Sequence, residues 1–492
     1  MSERNGPRNT LFGLLLSTGL SVFAAQTVLA EDAVKTDAPA QPALQSLKEL
    51  DGKAPARRAL NIQTWKTAEG AKVLFVEARE LPMFDLRLTF AAGSSQDQAT
   101  PGIAVLTNAM LNEGVKGKDV SAIAEGFEGL GADFSNGAYR DMAVASVRSL
   151  STADKREPAL KLFSEVVGKP TFPADSLARI KNQLLASFEY QKQNPGALAG
   201  KELFKRLYGD HPYGHPSEGT AQTITPITLA QLKAFHAKAY AAGNTVIALV
   251  GDLSRDEAQA IAAQVSASLP KGPALAKLPT PVEPKAGETH IEFPSKQTHL
   301  MLAQLGIDRN DPDFAALSLG NSVLGGGGFG SRLMTEVREK RGLTYGISSG
   351  FTPMQAQGPF MIGLQTRAEL SENTLKLVQD IVRDFLANGP TQKELDDAKR
   401  ELSGSFPLST ASNSAIVGQL GAIGFYDLPL TFLEDFMTQS QEVTVEQVKA
   451  AMSKHLSADK MVIVTAGPTV PQQPLPPPTE KPAERPLGVP EH

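Results

Sequence analysis

The hydrophobic positions of this chain follow two different periods. Near-alternation of apolar and polar residues over Lys72–Glu77 and Phe84–Phe90 predicts two strands, and Ala92-Gly93-Ser94 ends the second. Helical spacing over Gly102–Asn112 and Val120–Leu130 predicts two helices. A further strand and two longer helices are predicted at Met142–Leu150, Glu157–Val167 and Ser176–Gln193. Strands followed by groups of helices indicate an α+β fold.

The chain also repeats itself weakly. Residues 227–251 and 443–467 align without a gap at an offset of 216, and nine of the 25 positions are identical. In each copy a helical pattern leads into a β-rich stretch that closes on a glycine, Gly251 or Gly467. We therefore predict two homologous halves, each of roughly 200 residues.

Two segments are rich in proline. Five prolines between Pro270 and Gly287 exclude a helix or a central strand, so this segment is predicted to be a linker. The sequence from Pro468 onward, which includes Pro476-Pro477-Pro478, predicts an extended or disordered tail without a packed core. A passive tail is favoured over a ligand for a proline-recognition module.

The N-terminus has the pattern of a secretory signal peptide. Arg4 and Arg8 precede a short apolar run, Leu11–Ala25, and Val28-Leu29-Ala30 fits the pattern of a cleavage site. We expect a periplasmic or otherwise exported protein, and an uncleaved membrane anchor is the alternative. The predicted organisation is a signal peptide at 1–30, a spacer at 31–57, a first half at 58–269, a linker at 270–287, a second half at 288–467 and the tail at 468–492.

Composition narrows the possible functions. The 492 residues carry a formal net charge of -5, so the chain lacks the strong basic field that nucleic acid binding requires. The chain has no cysteine, which excludes disulfides, thiolate metal ligands and a cysteine nucleophile.

Histidine is scarce, and one pair is closely spaced. His211 and His215 have the separation of two zinc ligands on one helical turn. Pro212 and Pro216 exclude a helix through this segment, so a structured loop is predicted in place of a metal site.

A run of glycines occupies Gly325–Gly330. The next residues are Ser331-Arg332, not the Lys-Ser/Thr of a phosphate-binding loop, so nucleotide binding is the weaker interpretation. Close approach of one backbone to another is favoured, because side chains would clash there.

A helix followed by a strand is predicted after this glycine run. The expected helix has Ser331 as its N-cap and ends near Gly342, and the expected strand covers Leu343–Ser349. Arg338 would then lie late in the helix and Tyr345 in the strand. On spacing alone, such an arginine complements the helix dipole and such a tyrosine packs against its neighbours.

Several of these segments resemble the pitrilysin/insulinase-type zinc peptidases, the inverzincins. The resemblance covers roughly residues 60–467 and is carried by Tyr208–Gly214 with Gly219, by Leu324–Gly346, and by the shorter Ala91–Ser94 and Leu130–Ala132 segments. It implies two homologous α+β halves of the LuxS/pitrilysin-like metalloenzyme type, each an antiparallel sheet packed with helices, with disordered termini.

The same resemblance locates the metal motif, and the motif is lost. Family members carry an inverted H-x-x-E-H sequence on a helix of the first half, in which two histidines bind zinc and the glutamate activates water. Here the histidine positions hold Val105 and Ala109, and the glutamate position holds Asn108. None of these side chains can perform that chemistry.

The third metal ligand of the family is missing as well. The corresponding glutamate position falls near Ala186 and Ser187, and the neighbouring Glu189 alone would hold zinc poorly. No cofactor is therefore expected on this chain, and no peptide cleavage by the chain alone.

A second family feature is retained. An arginine and a tyrosine seven residues apart contact substrate at the zinc site in the family, and they match Arg338 and Tyr345. In some bacterial members the metal motif and this pair lie on separate chains. The resemblance thus implies a substrate-binding subunit of a two-chain zinc endopeptidase that acts on unfolded peptides, with zinc in a homologous partner. A catalytically inactive scaffold or assembly protein of the same fold is the alternative.

Overall fold

The computed structural model describes residues 60–479. The predicted signal peptide and spacer, and the end of the tail from residue 480, lie outside the described residues. No helix in the described range is long and apolar enough to cross a membrane.

The first half contains a six-stranded sheet, a two-stranded ribbon and eight helices. Its strands are β1 (Gln63–Lys66), β2 (Lys72–Glu77), β3 (Met83–Phe90), β4 (Gly114–Val115), β5 (Lys118–Asp119), β6 (Asp133–Ala138), β7 (Ala143–Leu150) and β8 (Thr245–Gly251). Its helices are α1 (Ile103–Ala109), α2 (Val120–Glu128), α3 (Ala153–Gly168), α4 (Ala174–Gln191), α5 (Pro195–Tyr208), α6 (Ala221–Ile224), α7 (Leu229–Ala239) and α8 (Arg255–Ser268).

The second half contains a five-stranded sheet and six α-helices. Its strands are β9 (Gly287–Glu292), β10 (Gln297–Leu305), β11 (Ile347–Phe351), β12 (Pro359–Arg367) and β13 (Val462–Gly467). Its helices are α9 (Phe314–Asn321), α10 (Ser371–Asn388), α11 (Gln392–Ser405), α12 (Asn413–Phe425), α13 (Phe432–Glu442) and α14 (Val445–His455). Residues 270–286, between the halves, contain neither helix nor strand.

The two large sheets have equivalent topologies. The strand order is β1-β2-β8-β3-β7-β6 in the first and β9-β13-β10-β12-β11 in the second. In each sheet one pair is parallel, β2 with β8 and β13 with β9, and the other pairs are antiparallel. The expectation of two homologous α+β halves is confirmed, and each sheet is mixed rather than purely antiparallel.

The sequence repeat corresponds to equivalent elements. The helices α7 and α14 and the strands β8 and β13 occupy the two copies at the same offset. Both helices begin with a capping box, in which Thr228 and Gln231 or Thr444 and Gln447 satisfy each other's backbone N–H groups.

Each sheet packs against helices of its own half on one face and against a helix of the other half on the opposite face. Side chains of β2 and β8 alternate between the two faces, and their outward set, which includes Leu74 and Val246, packs against α12 of the second half. Reciprocally, Leu203 of α5 packs against β10 and β13 of the second sheet. Each half therefore packs one helix onto the sheet of the other, an arrangement that we term the helix exchange. Both halves belong to one compact unit.

Several predicted boundaries are corrected. α1 ends at Ala109 rather than Asn112 and is followed by a single 3₁₀ turn, Leu111–Glu113. α3 begins four residues before the predicted Glu157 and contains Pro158 as its sixth residue, where the missing N–H removes one backbone hydrogen bond of the helix.

The first part of the tail, residues 468–479, is bound to the second half and is termed the seated tail. From Pro468 to Thr479 it lies extended against the second half. Gln473 donates from its backbone to Glu369 O at 2.7 Å, and Leu475 packs against the hydrophobic core. This part of the tail thus packs against the hydrophobic core of the second half.

Candidate functional site

The degenerate metal positions lie together on α1. Val105 and Ala109 are half-buried and one turn apart, whereas Asn108 is buried. The Asn108 amide donates to Val144 O at 3.3 Å and to the hydroxyl of Tyr240 at 3.2 Å. The amide at the position of the family's general base therefore connects α1 to β7 and to Tyr240, the residue that caps the C-terminal end of α7.

The position of the third metal ligand is equally unsuited to zinc. Ala186 and Ser187 are exposed on α4, and Glu189 forms an exposed ion pair with Lys192 at 2.7 Å. A zinc ion of the family type does not fit these residues, because Val105 and its neighbours supply no imidazole or free carboxylate.

One group of possible metal ligands occurs among residues 60–479, and it lies in the second half. It consists of Asp311, Asp313 and His455. His455 contacts the Asp313 carboxylate at 2.9 Å and Lys454 donates to it at 2.7 Å, and the Lys454 hydrogen bond lowers the pKa of Asp313. These contacts join the C-terminal end of α14 to the N-terminal end of α9, where opposite charges are favoured. The group is thus explained as a helix-end ion pair.

The segment with the closely spaced histidines forms the structured loop that its prolines predict. His211 Nε2 contacts Pro279 O at 2.8 Å, and Tyr213 N donates to His211 Nδ1 at 3.1 Å. His215 Nδ1 contacts Pro216 O at 3.0 Å. Both imidazoles are engaged by the surrounding backbone, and burial lowers the pKa of each.

This loop also connects the two halves through a buried polar network. The Tyr213 hydroxyl donates to Asp141 and accepts from Ala356 N at 3.2 Å. Asp141 further accepts from Gln355 N at 2.7 Å and from the Tyr426 hydroxyl at 3.3 Å. Burial raises the pKa of Asp141, and several donors counter that effect. Sequence reasoning missed this network, because its members are widely separated along the chain.

The glycine-rich segment makes the predicted close approaches. A Cβ atom added to Gly325 would lie 2.5 Å from Ser349 Oγ, and one added to Gly326 would lie 2.4 Å from Asn321 Nδ2. π-helical turns flank the segment, at Ser322–Gly326 and Met334–Glu339. Such turns are rare and often occur at functional sites.

Arg338 lies in the second π-helical turn. Its neighbours Lys340 and Arg341 both pair with Glu336, and Arg332 pairs with Glu394 at 2.7 Å. Within residues 60–479, Arg338 has no carboxylate partner, and the structure records one contact of its guanidinium, with the ring of Phe329. The N–H donors of Arg338 therefore remain available to bind a ligand, unlike those of the neighbouring cations.

The end of this turn is fixed by a left-handed glycine. Gly342 has φ +59°, and its N–H donates to Arg338 O at 2.8 Å, while Leu343 N donates to Val337 O at 3.0 Å. Gly342 thus ends the helix as predicted, in a version of the Schellman motif widened by one residue. Ser331 does not act as a side-chain N-cap, because its hydroxyl donates to Gly328 O at 2.8 Å.

Tyr345 is in a turn before the strand, not in the strand. β11 begins at Ile347, and the predicted start at Leu343 is wrong because Thr344 turns the chain: its hydroxyl donates to Gly346 O at 2.8 Å and accepts from Gly346 N. Thr366 anchors the preceding carbonyl, Leu343 O, at 2.7 Å. Tyr345 is 81% exposed on this tightly bonded turn. An exposed phenol on a fixed backbone is well suited to contact a ligand.

The seated tail reaches the same region. The N–H and the hydroxyl of Thr479 both donate to Lys340 O, at 2.8 and 2.9 Å. This carbonyl ends the helical turn that carries Arg338, so the tail completes the cap of that turn.

Comparisons with known proteins agree with this fold. Residues 72–221 match the sequence model described as insulinase (peptidase family M16), and residues 226–402 match the model described as peptidase M16 inactive domain. The solved structure of a peptidase M16 inactive domain from Pseudomonas fluorescens is 80% identical, with a TM-score of 0.83, and covers 84% of this chain and 100% of its own.

A more distant relative and a similar solved fold both come from Helicobacter pylori. A protein described as non-peptidase homolog YmxG is 29% identical over 388 residues, which span 78% of this chain and 88% of that protein. A solved protease structure, at 18% identity and a TM-score of 0.76, covers 83% of this chain and 100% of its own and shares the fold. The chain belongs to peptidase family M16, and the members that it resembles include ones described as inactive.

Proposed function

We propose that this chain is the metal-free, substrate-binding subunit of a two-chain zinc endopeptidase. The partner is a homologous M16 chain that carries H-x-x-E-H. The observation that carries the proposal is the contrast between the two sites: the α1 positions hold Val105, Asn108 and Ala109, whereas Arg338 and Tyr345 are presented with unoccupied donors.

The chemistry of the retained pair fits substrate binding and rate enhancement. The partner's zinc would activate the attacking water and polarise the peptide carbonyl. The guanidinium of Arg338 and the phenol of Tyr345 would donate to that carbonyl and to the oxyanion that develops on it. The substrate is an unfolded peptide, which can add to an exposed sheet edge as an extra strand.

The helix exchange between the halves supports a role for a second chain. Because each sheet is held by a helix of the other half, the two halves do not separate as independent domains. We expect the chamber around an extended peptide to form between this chain and its partner. This arrangement also accounts for a chain that retains donors without metal ligands.

The central experiment reconstitutes the complex. The chain is co-purified from the native cell envelope with its zinc-containing partner, and cleavage of an unstructured fluorogenic peptide is measured. Arg338→Ala and Tyr345→Phe are each expected to lower kcat about 100- to 1,000-fold, because each removes an oxyanion donor. Arg400→Ala and Tyr190→Phe are matched controls, since these side chains are exposed elsewhere and lie outside the proposed site.

Three outcomes separate the proposals. Full activity of both site variants would show that Arg338 and Tyr345 are not donors. A complex without peptidase activity would favour the inactive scaffold, for which the non-peptidase description of the Helicobacter pylori relative is the specific support. Stoichiometric zinc in the isolated chain, measured by elemental analysis, would overturn the metal-free assignment.

Export is part of the same proposal. We expect the mature chain to begin after Ala30 and to occupy the periplasm or another exported location. N-terminal sequencing of the protein from fractionated cells tests this, and a chain that keeps Met1 in the membrane fraction would favour the anchor.

A further inference from the structure

Phe329 is an exposed aromatic residue at the tip of the glycine-rich segment. Its side chain is 61% exposed, and it lies between Gly328, at φ +58°, and Gly330. Neither glycine has a neighbour within 4 Å of its would-be Cβ, so the tip stands clear of the core. Exposed aromatic surface does not stabilise a fold through burial, so the residue calls for another explanation.

The ring of Phe329 lies against Arg338. The guanidinium carbon is 4.6 Å from the ring centroid, within the range of cation–π attraction. Arg332 on the same stretch of chain also stacks on a ring, that of Phe385, but its charge is neutralised by Glu394. For Arg338, the aromatic ring takes the place of the carboxylate.

An aromatic ring and a carboxylate hold an arginine guanidinium in different ways. A carboxylate holds an arginine by accepting its N–H groups and so occupies them. An aromatic ring attracts the cation through its face, and the N–H donors, which lie in the guanidinium plane, stay free for a substrate oxygen. A stacked arginine is thus held in place without losing its donors.

The rest of the segment fixes the ring. Gly325 permits the loop base to pack directly on Ser349 of β11, the strand that follows the Tyr345 turn. Ser331 closes the tip by donating to Gly328 O. The loop, the Arg338 turn and the Tyr345 turn are therefore joined in one local unit.

We propose that Phe329 is a positioning residue for Arg338. The ring of Phe329 holds the Arg338 guanidinium, before substrate binds, in the orientation in which its N–H groups can donate to substrate. This inference rests on the proposed function, because the orientation matters only if Arg338 contacts substrate. It adds a residue of the glycine-rich segment, chosen for its π face, to the substrate-binding apparatus.

The kinetic test uses the reconstituted complex and three variants. Phe329→Leu keeps an apolar side chain but removes the π face, and is expected to lower kcat about 2- to 5-fold with KM little changed. Phe329→Tyr keeps an aromatic face and is expected to have the kcat of the unmodified chain. Leu408→Ala is the matched control, because Leu408 is exposed to 72% on another surface.

A second measurement needs no partner. Modification of arginine by phenylglyoxal is followed at Arg338 by mass spectrometry of its proteolytic peptide, in the full-length chain. Phe329→Leu is expected to speed modification about 2- to 5-fold, whereas Phe329→Tyr and Leu408→Ala leave the rate unchanged.

The outcomes separate this inference from the function on which it rests. If Arg338→Ala abolishes activity while Phe329→Leu matches the unmodified chain in both measurements, the positioning role is wrong and the proposed function stands. If Arg338→Ala is fully active, the proposed function is wrong, and with it the positioning role. Equal losses in Phe329→Leu and Phe329→Tyr would show that the ring acts by packing alone.

Discussion

Asp97 stabilises the N-terminal end of α1, the helix that carries the degenerate metal positions. Its buried carboxylate accepts from Gly102 N at 2.7 Å and from Ala104 N at 2.9 Å, and thereby satisfies two donors that have no partner within α1. His215 of the loop between α5 and α6 lies 4.0 Å away. The N-terminal end of α1 is thus held by hydrogen bonds within the fold.

The titration of Asp97 should make stability depend on pH. Burial raises the pKa of this carboxyl from its ordinary value of 3.8 to about 7. The native state then holds a proton that the unfolded state releases, so the free energy of unfolding falls as pH rises from about 4 to about 7. We expect Asp97→Asn to remove this contribution, which is on the order of 4 kcal/mol.

Urea unfolding of both proteins at about pH 5 and about pH 8, followed by Trp65 fluorescence, measures the effect. The stability advantage of the unmodified chain over the variant should shrink at the higher pH. Burial lowers the pKa of His215 in the unmodified chain, which gives a pH dependence of the opposite sign. Parallel pH profiles of the two proteins would rule out a titrating Asp97.

At the scale of elements, local signals were readable from the sequence. The repeat located α7, α14, β8 and β13, because capping boxes and β-branched runs are determined by neighbours in the chain. The glycine run was recognised as a close approach for the same reason. The retained pair, Arg338 and Tyr345, was found only through family resemblance, since its spacing alone carries no chemistry.

Contacts between segments that are distant in the sequence could not be predicted from local sequence patterns. The start of β11 was misplaced because the Thr344 side-chain turn was not recognised. The sequence predicted an extended or disordered tail, and its proline composition does not reveal that Leu475 packs against the core of the second half. Phe329 was missed, although it is an aromatic residue flanked by glycines and lies nine residues before Arg338, which was the available signal.

The seated tail should rigidify the turn that carries Arg338. Thr479 makes two hydrogen bonds to Lys340 O, each stabilising by about 1 kcal/mol. A chain that ends after Pro468 loses them, and we expect the amides of Gly342 and Leu343 to exchange with solvent about 10-fold faster. Hydrogen exchange with mass spectrometry measures this. A chain that ends after Thr479 is the control and should match the full chain, and equal exchange in all three would contradict the role of the tail.

At the scale of the whole molecule, the helix exchange determines how the chain responds to perturbation. α12 lies close on the first sheet because it carries glycines at the contact: a Cβ on Gly424 would meet Val246 at 2.4 Å, and one on Gly421 would meet Arg87 and Thr89 at 3.1 Å. The polar network around Asp141 adds a second connection. Stability of the first half therefore depends on residues encoded far away in the second.

Leu420 offers a direct test, because it is fully buried on α12 between that helix and the first sheet. Leu420→Ala should lower the free energy of unfolding by about 2–5 kcal/mol, through lost burial and a residual cavity. The single tryptophan, Trp65, lies in β1 of the first half and reports on that half alone. We expect its fluorescence transition to move with the far-ultraviolet circular dichroism, since the halves unfold together. Leu408→Ala, at an exposed site, should leave both transitions in place. A Trp65 transition that stays fixed in Leu420→Ala would mean that the two halves unfold independently.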